Sequence, residues 1–80
     1  MRWDRTIRDC ALETVLGALY AHEINCGLQS FWDGGWSVWI GDDMNGVRAE
    51  ADFQRDQLTD IPAWLADNAE RLYPALRNAA

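Results

Sequence analysis

The sequence predicts a single α+β domain of order α-β-β-β-α, with two helices covering one face of a three-stranded antiparallel sheet. Three observations carry that reading. Apolar residues recur at helical spacing over residues 6–24 and again over 60–73. Between these stretches the period falls to two, and Asp33-Gly34-Gly35 and Asn45-Gly46 punctuate it into short strands. Eighty residues leave room for one modest core, so residues 1–80 are read as one domain.

The first helix, TIRDCALETVLGALYAHEI, is expected to start at Thr6 as its cap, with Asp9 closing a capping box. Trp3, Ile7, Cys10, Ala11, Val15, Ala18 and Leu19 fall on one face, which makes Cys10 a small core residue. Asn25 or Gly27 can supply the left-handed turn that ends it.

Three strands follow, at 28–32, 36–40 and 47–53. The last is the cleanest, with Val47, Ala49, Ala51 and Phe53 alternating against Arg48, Glu50 and Asp52. A three-residue turn at Asp33, Gly34 and Gly35 would set Trp32 opposite Trp36, Ser30 opposite Val38 and Leu28 opposite Ile40. The competing two-residue turn buries the Gln29 amide, so the three-residue turn is preferred. Trp32 and Trp36 then point inward, while Phe31 and Trp39 point to the opposite, solvated face.

The second helix begins near Asp60, with Pro62 tolerated in its first turn. Ile61, Trp64, Leu65, Leu72 and Tyr73 give its apolar stripe. Pro74 stops it, and ALRNAA is a short tail with Leu76 tucked back.

Composition bounds the chemistry. Thirteen acidic residues oppose seven arginines with no lysine, for a net charge of −6. Such a chain is ill suited to hold a phosphate backbone directly, and neither helix carries the basic face that groove binding requires. No segment reads as a membrane span or secretory leader, and a cytoplasmic setting is expected. Cys10 and Cys26 fit neither a redox nor a zinc spacing. Asp42, Asp43 and Asn45 offer oxygen ligands, yet GDDMNG lacks the frame of a calcium loop, closed by a glutamate. His22 reads as structural. No cofactor, metal or catalytic constellation is expected, and the chain is read as non-enzymatic.

What remains is a surface for a partner. Nine of the thirteen acids lie from residue 33 onward, beside the outward aromatics. Phe31 and Trp39 serve as aromatic anchors, with Asp33, Asp42, Asp43, Glu50 and Asp52 as an acidic rim that steers toward Arg or Lys on a partner. A homodimer could cover the same face, and the acidity could instead serve solubility alone.

The segments FWDGGWSVWIGDDMNGVRAEADF and DIPAWLADNAERLYPAL resemble the small acidic proteins of phages and prophages. In size, acidity and helix-plus-antiparallel-sheet plan the chain is similar to anti-CRISPR proteins acting on type I systems. That resemblance implies a non-enzymatic inhibitor that binds the large ribonucleoprotein surveillance complex and blocks target DNA. It assigns no individual residue.

Overall fold

The computed structural model describes residues 3–78, and its elements follow the order α-β-β-β-α. The helix expected over 6–24 is split. Arg5–Asp9 forms a 3₁₀ turn, and α1 runs over Leu12–Ala21. Cys10 and Ala11 between them are extended, with ψ of 169° and 157°. Asp4, two residues ahead of the expected cap, starts the turn. Its carboxylate accepts from the Thr6 N–H at 2.9 Å and from Thr6 Oγ1 at 2.8 Å. The break leaves Trp3 and Ile7 buried while their turn packs against the second helix. It also turns Cys10 out to solvent, so the expected core cysteine is exposed. Glu23, with φ of 60°, takes the left-handed position that had been expected of Asn25 or Gly27.

The second helix, α2, spans Ile61–Leu72, and Ile61, Leu65, Ala66 and Ala69 are its buried stripe. The preceding linker is ordered as a 3₁₀ turn, Arg55–Asp60, opened by a reciprocal Gln54–Gln57 capping box. Pro62 lies in the first turn of α2 as expected, whereas the Asp60 side chain makes no capping bond. Leu76 folds back into the core, and the last two residues of the expected tail, Ala79 and Ala80, lie outside the described residues.

Two ion pairs tie the N-terminal turn to α2. Arg5 Nε lies 3.2 Å from Oε1 of buried Glu70, a charge contact only, since that oxygen has no hydrogen-bond partner. Arg8 donates two hydrogen bonds to the Asp67 carboxylate, at 2.8 and 3.0 Å. Hydrogen bonding from Arg8 holds the Asp67 carboxyl below its ordinary value. The folded pKa is thus the lower one. This pair stabilises the fold above the ordinary Asp pKa of about 3.9, and the contribution is lost as pH falls through the folded value. Asp67→Asn should therefore melt below the parent at neutral pH and converge with it in acid. The gap will be small, because both side chains are about half exposed and solvent screens them. Parallel melting curves across the whole acid range would refute the linkage.

The sheet has strand order β1-β2-β3, with β1 at Cys26–Ser30, β2 at Trp36–Asp42 and β3 at Val47–Phe53. Both pairings are antiparallel. Ser30 faces Trp36, Leu28 faces Val38 and Cys26 faces Ile40, a register two residues away from the expected one. The hairpin loop does have three residues, but they are Trp32, Asp33 and Gly34. Phe31 N–H donates to the Gly35 carbonyl at 2.8 Å and Gly34 N–H donates back to the Phe31 carbonyl at 3.0 Å. Gly34 sits at φ 90°, the left-handed site that closes such a loop, and Asp33 Oδ1 accepts from Gly35 N–H at 3.0 Å.

Trp32 is consequently at the tip of a turn and 97% exposed, which overturns its expected place in the core. The interior is built instead from Val38 and Ile40 of β2, Val15 and Leu19 of α1, and Leu65 of α2, all fully buried. Trp36, Ala49 and Phe53 pack at its margin, where Phe53 meets Trp64 edge-on at 5.9 Å.

Candidate functional site

The seven residues expected to form one binding face divide between two places on the sheet. At the β1–β2 loop, Phe31, Asp33 and Asp52 line an open groove of about 810 Å³. Trp32, Trp36, Phe53, Arg55 and Asp56 share its lining. Trp32 projects freely and Phe31 is 45% exposed, so two apolar rings stand in water beside carboxylates. Asp33 spends one oxygen on the turn, while Asp52 and Asp56 are exposed. The Arg55 side chain lies against Gly34, close enough that a methyl there would stand 2.5 Å from its Nε.

The second place centres on Trp39. Strand alternation does put Trp39 on the face away from buried Val38 and Ile40, opposite Gly27 and Glu50. Its ring lies flat over Gly27, where any Cβ would overlap it. From the other side the Arg48 guanidinium stacks at 5.1 Å from the ring centroid. Arg48 also bonds Glu50 at 3.0 Å and Asp43 at 2.6 Å. Three of the expected partner-binding residues, Trp39, Asp43 and Glu50, are thus engaged with Arg48. Asp42 accepts from Met44 N–H at 2.9 Å and shapes the β2–β3 turn. No ring contact joins Trp39 to Phe31 among the described residues.

No family model, curated protein or solved structure matches this chain.

Among the described residues, no group of three or more His, Cys, Asp or Glu side chains is placed to hold a metal ion. Cys26 is partly buried in β1, and that burial pushes its thiol pKa up, disfavouring the nucleophilic thiolate. His22 meets Trp3 edge-on at 5.6 Å, and its Nε2 and the Trp3 Nε1 are buried without hydrogen-bond partners. No helix is long and apolar enough to cross a membrane.

The aromatic groove can grip an apolar or cationic side chain. Trp32, Trp36, Phe53, Arg55 and Asp56 also line the groove and were left out of the site by sequence reasoning, which placed the two tryptophans and Phe53 in the core. Their signal was the glycine at position 34. Placing it in the left-handed slot makes Trp32 a turn residue, and the Arg55 side chain lies against that same glycine.

Proposed function

We propose that this protein is a non-enzymatic inhibitor that binds through the β1–β2 loop and masks a basic surface on a larger protein or ribonucleoprotein assembly. The observation that carries the reading is Trp32, held 97% exposed at the tip of a hydrogen-bonded turn. An exposed indole contributes little to folding, yet Trp is, with Tyr and Arg, enriched among interface hot spots. Its neighbours Asp33, Asp52 and Asp56 supply charge complementary to Arg or Lys, and the net charge of −6 favours approach to such a surface. The resemblance to anti-CRISPR proteins makes a type I surveillance complex the first partner to test, in the cytoplasm of the host cell.

Capture of a purified type I surveillance complex on immobilised protein provides that test. Trp32→Ala should shift stability by no more than about 0.5 kcal/mol, as befits an exposed site. It should weaken capture by about 2 kcal/mol or more, roughly 30-fold, if Trp32 is the anchor. Parent and variant captured equally would remove Trp32 from the interface, and a parent that captures nothing would refute this partner.

Electrostatics give a separate prediction. Reversing Asp52 and Asp56 to lysine should slow association and flatten its salt dependence, because steering weakens as the screening length falls from about 10 Å at 0.1 M to 3 Å at 1 M. Association rates indifferent to salt and to both reversals would leave the acidity to solubility.

A further inference from the structure

The hydrogen-bond register of the sheet shows which backbone groups it leaves unpaired. Gly41 N–H donates to the Asn25 carbonyl, and Phe31 N–H to the Gly35 carbonyl, at the two ends of the β1–β2 pairing. In an antiparallel ladder the bonded pairs alternate, so the bonds between these ends run through Gly27–Trp39 and Gln29–Ser37. Cys26, Leu28 and Ser30 therefore direct their N–H and C=O groups away from β2, along the outer edge of the sheet. Beyond β2, no element packs extensively on β1 among the described residues.

The two edges differ. Alternation carried across β2 leaves the outward groups of β3 on Arg48, Glu50 and Asp52, three charged residues of the kind that discourages strand addition. The β1 edge, CGLQS, has no charge, no proline and no bulge. Its free groups are also symmetric about Leu28.

We infer that two copies of this chain pair antiparallel through β1, making one continuous six-stranded sheet. A two-fold axis at Leu28 sets Leu28 opposite the partner's Leu28 and Cys26 opposite the partner's Ser30. Each of the three opposed pairs exchanges two hydrogen bonds, six in all, using every free edge group of the strand. A second copy suits this edge better than a basic partner does, because β1 offers no carboxylate to receive one. The dimer leaves the β1–β2 groove of each copy separate from the pairing groups, so it stands independently of the inhibitor reading.

Sedimentation equilibrium of the intact protein tests it, from about 10 µM to about 1 mM, the range of weak association. The mass should rise toward that of a dimer. Amide exchange at Cys26, Leu28 and Ser30 should slow with concentration, while the amides of Gly27 and Gln29, already bonded to β2, should not change. Ser30→Pro removes one outward N–H and leaves the ladder to β2 intact, so it should fold with an unaltered melting curve and remain monomeric. A monomer at every concentration overturns the inference. So does a dimer that Ser30→Pro leaves intact, or one whose concentration-dependent protection falls at Trp32 and the groove.

Discussion

Leu65→Ala is expected to remove about 2.7–5 kcal/mol of stability, the range for deleting a fully buried leucine that its surroundings cannot collapse around. Leu65 is 0% exposed in the stripe of α2 that lies over β2 and β3, among Val38, Ile40 and Leu19. Rigid elements surround the site, so the cavity would persist. A chain of this length holds only about 4–12 kcal/mol in total, at 0.05–0.15 kcal/mol per residue. The variant should melt at least about 10 °C lower, at 4–8 °C per kcal/mol for so small a domain. Trp32→Ala deletes a larger side chain and should barely move the same curve. A Leu65→Ala loss below about 1 kcal/mol would show that the α2–sheet contact is not the centre of the core.

That inverted ranking shows where the sequence was legible and where it was not. Periodicity identified both helical regions, all three strands and the inward Val38 and Ile40, since alternation decides which face a residue takes. It could not identify the partner of each residue. Registers two residues apart leave every side chain on the same face, so the expected and observed pairings of β1 with β2 satisfy the pattern equally. The choice fell to the turn, where Gly34 occupies the left-handed site and Asp33 bonds Gly35. Moving the loop by one residue expelled Trp32 from the strand. The split of the first helix was hidden for a similar reason. Asp4 competed with Thr6 for the cap, and only the burial of Trp3 and Ile7, with the Arg5–Asp9 turn packed against α2, reveals the advantage of a break at Cys10 and Ala11. For the site, the outward face of Trp39 could be read from alternation. Its cover could not, because the stacking of Arg48 and the bare surface of Gly27 depend on the register of both neighbouring strands.

Gly41→Ala should be the most damaging of the single-methyl additions in the strands, at about 2–5 kcal/mol from backbone strain and overpacking together. Gly41 sits in β2 at φ 116°, where a side chain is disfavoured before any contact is considered. The contact is worse. A Cβ there would overlap the Val47 carbonyl oxygen and stand 2.8 Å from Arg48 Cα. These are backbone atoms of the paired strand, so no rotamer change can make room and the end of the β2–β3 ladder must move. Gly46 provides the control. It also has positive φ, at 68°, but a methyl there meets nothing within 4 Å. Gly46→Ala should therefore show the conformational part alone, about 1–2 kcal/mol. Denaturant unfolding of the two variants separates the terms. Because Gly41 pairs with Arg48, the displaced strand should also pull the guanidinium off Trp39 and alter the indole fluorescence of Gly41→Ala. Equal losses in the two variants, with that fluorescence unchanged, would mean that β3 does not approach Gly41 as closely as the register requires.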